Sequence, residues 1–176
     1  MKPLLNHIIL IGFKHVGKTI IGKHLARELK ANFIDLDSQL ELLHEKDMGK
    51  KLSCRHIMEK NGEAYFRALE TEALRRIIST SPAVISLGGG TACSEKNQKI
   101  IKDHTVIHIT APRGIVFERI LMGGRPAFFD LNEDLLESFN KLFNDREKIY
   151  EKLHNISILN NSTVNTAVNT IMGKLP

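Results

Sequence analysis

A chain of 176 residues with 42% hydrophobic and 26% charged residues holds enough apolar material for one compact core, and its composition is that of an ordinary soluble globular domain. No apolar run approaches the roughly 20 residues a membrane-spanning helix needs, so no membrane partner is expected, and two cysteines without a CxxC exclude a disulfide framework and point to reduced, structural thiols. The net charge of +5 would suit nucleic acid, but Lys and Arg are spread along the chain with no long basic block, so a basic cleft for small anions accounts for the excess equally well and no nucleic-acid partner is expected.

In chain order, MKPLLNHIILIG has the outline of a signal peptide, but Asn6 and His7 break the apolar stretch and it runs straight into a glycine loop. It is read as a first strand, and the protein as cytoplasmic. Strands are predicted at 7–10, 33–35, 83–87, 105–109 and 155–159, each short and rich in Ile or Val, as strands buried on both faces are. Helices are predicted near 18–30, 38–48, 53–60, 62–79, 94–102, 112–122, 132–152 and 163–174, with Ser94 and Asn132 as N-caps. The alternation gives a single α/β domain over 1–176 with a largely parallel sheet. The stretch 38–80 is long for one crossover and is assigned to acceptor-binding helices. The segment MGGRPAFFDLN (122–132), with paired glycines and a proline, is assigned to a mobile lid.

Gly12-Phe13-Lys14-His15-Val16-Gly17-Lys18-Thr19 fits GxxxxGK[ST] between a strand and a helix. Backbone N–H groups of such a loop and of the helix N-terminus point at phosphate oxygens. Lys18 adds a positive charge at the β- and γ-phosphates, and the Thr19 hydroxyl can ligate Mg²⁺. A chance match in a glycine turn is the alternative, which the strand–loop–helix context disfavours. No Asn-Lys-x-Asp follows a later strand, which argues against a switch GTPase and leaves a kinase for a small molecule.

Four further stretches bear on the acceptor. In FIDLD, Asp35 and Asp37 stand two apart at a strand end and should leave on one face, able to serve Mg²⁺ and a hydroxyl, unless Asp37 merely caps the next helix. In GEAYFRALE, Arg67 could be an exposed residue paired with Glu63 or Glu70. Gly88, Gly89 and Gly90 let backbone N–H groups approach a ligand, or form a flexible turn. Arg146 in DREKIY lies within an amphipathic helix, where a surface ion pair is the plain reading. Two arginines beside a glycine edge could instead clamp a carboxylate. Cys93, close to that edge, is read as a packed thiol.

The ordered set of P-loop, FIDLD, GEAYFRALE, LGGG, RP and DREKIY, from residue 12 to residue 150, resembles the shikimate kinase family. The resemblance implies a three-layer α/β/α P-loop kinase fold with a five-stranded parallel sheet. It implies transfer of the γ-phosphoryl of MgATP to the 3-hydroxyl of shikimate, on the way to chorismate. It assigns Lys18 and Thr19 to phosphate and Mg²⁺, Asp35 to Mg²⁺, and Asp37 to the substrate hydroxyls and the base. It assigns Arg67, Arg146 and the glycines around Gly89 to the substrate, Arg125 to the phosphates from the lid, and Arg119 to adenine. A monomer is the expected state. The chain departs from the pattern at His15, where a third P-loop glycine is usual, at Val16, at Ala127-Phe128 of the lid, and at Met58, where an aromatic is usual. A kinase of the same architecture acting on gluconate is the alternative enzyme, and a nucleotide-binding protein without catalysis is the alternative outside enzymes.

Overall fold

A computed structural model describes residues 4–123 and 134–175. The elements are β1 (Ile8–Ile11), α1 (Lys18–Glu28), β2 (Asn32–Asp35), α2 (Leu36–Met48), α3 (Cys54–Ile78), β3 (Ala83–Ser86), α4 (Glu95–Ile101), β4 (Thr105–Thr110), α5 (Arg113–Met122), α6 (Leu135–Leu153), β5 (Ile156–Leu159) and α7 (Val164–Lys174), with a short 3₁₀ turn at Thr91–Cys93. The five strands form one sheet in the order β2-β3-β1-β4-β5, every pairing parallel.

The sheet divides the core in two. Ile8 and Leu10 of β1 face a cluster with Val84, Ile107, Ile109 and residues of α1 and α7. Ile9 and Ile11 face the opposite cluster, with Leu36, Leu40, Phe66 and Leu69 of α2 and α3 and Tyr150 of α6. Period-two alternation feeds both faces, so the central strands must be apolar throughout, and β1 and β3 are buried at every position. Edge strand β5 alternates buried and exposed residues instead.

The predicted elements are all present, with boundaries moved by up to three residues, and one reading, the N-cap at Asn132, is corrected. The helices expected separately at 53–60 and 62–79 are both present within the span α3, which is kinked between them at Gly62, whose φ of 81° and ψ of 166° lie outside helical space. Ser94 occupies the N-cap of α4 but makes no side-chain cap bond. Asn132 lies outside the described residues. Asp134 caps α6 instead, its Oδ1 accepting from the N–H groups of Leu136 and Glu137 at 2.9 and 3.0 Å.

The strand order decides where a ligand sits. From β1 the chain leaves into the P-loop, while β1's two neighbours, β3 and β4, continue the sheet in opposite directions, a topological switch point. Leu10, Asp35 and Ser86 lie in one row across β1, β2 and β3. The P-loop, the Asp37 turn and the Gly88 turn therefore leave the carboxyl edge side by side.

Candidate active site

One cleft of about 590 Å³ opens at that edge, and both the P-loop and the acceptor elements line it. Its size is that of a small-ligand site. At one end the loop from Gly12 to Gly17 turns into α1, whose first residue is Lys18. Gly12 and Gly17 take φ of 140° and 102°, and a Cβ on Gly12 would drive into the Ile109 carbonyl oxygen. His15 adopts φ 65°, the left-handed region that the missing glycine would occupy freely and that a β-branched residue would resist. Lys18 is buried, its Nζ donating to the carbonyl oxygens of Gly12 and Phe13 at 2.8 and 2.7 Å. Burial lowers its pKa to about 8, opposed by Asp37 and then Asp35.

Not every P-loop residue faces the cleft with its side chain. Phe13 and Val16 are fully buried, Phe13 against Phe139 and Phe143, so they offer a ligand only backbone. Arg119 does not line the cleft; its Nη1 donates to the His15 carbonyl oxygen at 2.8 Å and so braces the loop from α5. Asn160, beyond β5, braces it from the other side by donating to the Val16 carbonyl oxygen at 2.8 Å. Arg125 lies outside the described residues.

The paired carboxylates reach the cleft by a different route from the one predicted. Asp35 ends β2 and Asp37 already lies in the first turn of α2, so they are not successive outward residues of one strand. Asp35, not Asp37, is the helix cap: its Oδ1 accepts from the Asp37 N–H at 3.1 Å. Its Oδ2 accepts from the Thr19 hydroxyl at 3.0 Å, which sets two hard oxygen ligands side by side at the end of the P-loop. Asp37 is left to face the cleft. Its side chain is open to cleft water, yet the walls enclose it on most sides. That burial, then Asp35, pushes its carboxyl up to about 6, against the pull of Lys18.

The arginines complete the far end. Arg67 does pair with Glu63 at 3.5 Å and with Glu70 at 2.9 Å, but it is only part-exposed and lines the cleft. Burial opposes its charge; Glu70 and then Glu63 outweigh this and hold its pKa above the ordinary value. Glu70 is itself buried and accepts from the Thr91 hydroxyl at 2.6 Å, so the fork is held from behind. Arg146 is no surface residue: it is 9% exposed, lines the cleft, and stacks over the Phe13 ring at 5.3 Å. The glycines between them are filled space. A Cβ on Gly88 would stand 2.8 Å from Asp37 Oδ1, on Gly89 3.1 Å from the Lys14 backbone nitrogen, and on Gly90 3.0 Å from both Arg67 Nη atoms.

Residues 14–176 match the family model described as SKI: Shikimate kinase. The chain belongs to the shikimate kinase family. It is 31% identical to a shikimate kinase of Persephonella marina over 172 residues, which is 97% of this chain and 99% of that one. It is 35% identical to one of Alkaliphilus oremlandii, over 88% of this chain and 89% of that one. Among solved structures, a shikimate kinase of Acinetobacter baumannii in complex with shikimate superposes with a TM-score of 0.84 at 25% identity, covering 99% and 97% of the two chains. One of Aquifex aeolicus gives 0.74 at 35%, covering 94% and 93%. A gluconokinase of Sinorhizobium meliloti, at 0.58 and 12%, shares the fold alone. This shikimate kinase family member is thus an ATP-dependent kinase.

Several residues that shape the site carry no role in the sequence reading. Tyr150 donates from its hydroxyl to the Gly89 carbonyl oxygen. Burial, then Cys93, holds that hydroxyl above its ordinary range, a neutral donor. The i, i+4 spacing of Arg146 and Tyr150 was the available signal. Glu70 lay three residues from Arg67 and was visible only as an ion-pair partner. Cys54 on α3 walls the acceptor end beside Met58, which the sequence reading did single out; burial, then Asp37, pushes the Cys54 thiol up.

Proposed function

We propose that the chain transfers the γ-phosphoryl of ATP to the 3-hydroxyl of shikimate, giving shikimate 3-phosphate and ADP for chorismate and aromatic amino-acid biosynthesis. The observation that carries this is the meeting, in one cleft, of a phosphate cradle with Arg67, Arg146, a glycine edge and Asp37. A ring carrying one carboxylate and several hydroxyls offers partners to both Arg67 and Arg146 and to Asp37. The shikimate bound to the Acinetobacter baumannii relative supports the acceptor.

In this reading the ATP phosphates lie along the backbone of 12–17, with Lys18 and the lid residue Arg125 on their charges and Arg119 on the adenine side. Thr19 and Asp35 hold Mg²⁺. Their adjacent hydroxyl and carboxylate oxygens fit a hard cation that keeps most of its shell as water and phosphate. When bound, the ion neutralises phosphate charge. Arg67 and Arg146 hold the shikimate carboxylate, and Gly88, Gly89 and Gly90 let the ring approach the backbone. Asp37 accepts from the ring hydroxyls and takes the proton of the 3-hydroxyl. That oxygen forms the new bond to the γ-phosphorus as the bond to the bridging oxygen breaks, and ADP leaves with the electron pair. Positioning and charge supply most of the rate.

The cleft gathers part of the basic excess of the chain, since Lys14, Lys18, Lys23, Arg55, Arg67 and Arg146 line it against the carboxylates Asp35, Asp37 and Glu70. On this reading the enzyme works as a cytoplasmic monomer on two small anions. Among the described residues no helix is long and apolar enough to cross a membrane.

ADP release from MgATP, with shikimate, gluconate or no acceptor, is the test. Stimulation by shikimate alone is the expected result, and stimulation by gluconate overturns the acceptor. Arg67→Ala should raise the shikimate KM by about a hundredfold, the loss of a charged hydrogen-bond pair of about 2–3 kcal/mol, and leave the ATP KM nearly unchanged. Equal loss of both removes Arg67 from the acceptor site.

A further inference from the structure

Behind the acceptor end, out of reach of any ligand, α6 meets the sheet through a polar contact. His108, at the middle of β4, is 2% exposed among Val106, Ile107 and Ile109. Its Nε2 stands 3.4 Å from Glu147 Oε1, and among the described residues neither atom has a hydrogen-bond partner. An apolar side chain would avoid the desolvation cost of such a pair. The His108 ring also tilts against the Tyr150 ring, with centroids 5.3 Å apart. It therefore touches the residue after Arg146 and the residue one turn beyond it.

The two halves of α6 are anchored differently. Phe139 and Phe143 fix the first half by packing on Phe13 under the P-loop. The second half reaches the sheet through Tyr150, which packs in the core with Ile9 and Ile11 and against the His108 ring, and through Glu147, which faces His108. Between the halves lies Arg146, stacked over Phe13, and one turn on the Tyr150 hydroxyl holds the Gly89 carbonyl. Rotation of the second half would carry Arg146 and the Gly89 carbonyl away from the acceptor together.

We propose that His108 is a positioning residue for acceptor binding, holding Glu147 and the Tyr150 ring so that α6 presents Arg146 beside the glycine edge. The inference rests on the reading of Arg146 as a ligand of the acceptor carboxylate. It assigns to this β-strand histidine a part in substrate affinity that its distance from the cleft conceals.

The test is the KM for shikimate and the KM for ATP, with a melting curve, for the wild type and for His108→Leu, His108→Gln, His108→Asn and Arg146→Met. Leu keeps the volume but leaves Glu147 without its counterpart. The shikimate KM should rise about three- to tenfold, the range for substitutions that touch no ligand, with the ATP KM within about twofold. Gln, whose amide reaches as far as the imidazole Nε2, should restore most of the affinity; Asn, too short, should not. Arg146→Met should exceed them all. If Leu does not fold, the Gln and Asn pair carries the comparison. A normal shikimate KM in His108→Leu, equal shifts in both KM values, or equal Gln and Asn enzymes overturns the role of His108 while the Arg146 assignment stands. A normal shikimate KM in Arg146→Met overturns the assignment and the inference with it.

Discussion

Asp37→Asn separates charge from shape at a carboxylate facing the acceptor end. Burial, then Asp35, pushes the Asp37 carboxyl up to about 6. The carboxylate is the form that accepts a proton, so kcat/KM for shikimate at saturating MgATP should fall about tenfold per pH unit below that value. Asn abolishes this acid limb and lowers the rate by about 10²–10⁴, the usual worth of a general base. A second consequence follows from Lys18, which burial lowers to about 8 and which Asp37 holds up more than Asp35 does. MgATP affinity should therefore weaken above about pH 8 in the wild type, and at lower pH in Asp37→Asn. Stability moves the other way. A carboxyl raised in the folded state contributes stability in full below its unfolded pKa of about 4, and this is lost as pH rises through about 6. Two pK units amount to about 2.7 kcal/mol for a group shut away from water. Asp37 is open to cleft water, and screening leaves about 1 kcal/mol or less. The variant should melt about 2–4 °C higher than the wild type at pH 8 and no higher at pH 4. Rate profiles, MgATP titrations and calorimetry across pH read the three effects. An acid limb surviving near pH 6 in Asp37→Asn refutes the base assignment, and an unmoved alkaline loss of MgATP affinity refutes the coupling to Lys18.

Two further substitutions test the acceptor end from the backbone side. Gly90→Ala sets a methyl 3.0 Å from both Arg67 Nη atoms, so the guanidinium must give by a few tenths of an ångström; the shikimate KM should rise about tenfold with the ATP KM unchanged, by steady-state kinetics. Gly62→Ala meets nothing within 4 Å, so its whole effect is the strain of φ 81°, about 1–3 kcal/mol by denaturant unfolding; a wild-type midpoint would mean that α3 can straighten there at no cost.

What the sequence disclosed and what it hid divide along contact range. The P-loop was legible because its residues are neighbours and its geometry is a property of their own backbone, including a histidine at a left-handed φ. The sheet was legible because two-sided burial forces apolar runs. The Asp35–Asp37 spacing misled in detail, since a period-two argument holds only while the strand continues, and β2 stops at Asp35. The carboxylates still converge because the cap bond from the Asp37 N–H folds the chain back on Asp35. Arg146 looked like a surface residue because the aromatic surface it covers is on the P-loop, more than a hundred residues away in the chain. The braces on that loop, Arg119 and Asn160, are likewise long-range bonds that no local pattern encodes.

Arg67 shows why the plain and the functional readings of one residue need not compete. Its partner Glu63 is 72% exposed, and an ion pair there contributes little. Glu70 is 2% exposed and also bonded to Thr91, so it cannot leave when a ligand arrives. A buried carboxylate that stays in place fixes the guanidinium plane before binding, which lowers the entropy a ligand must overcome. It also neutralises much of the charge that would attract the ligand. A second cation at the same end offsets that loss, and Arg146, across Gly89 and Gly90 from Arg67, stands where it can do so. On this argument Glu70 is the reason that a single acceptor carboxylate calls for two arginines, and the side-chain-free edge between them is what lets both reach it.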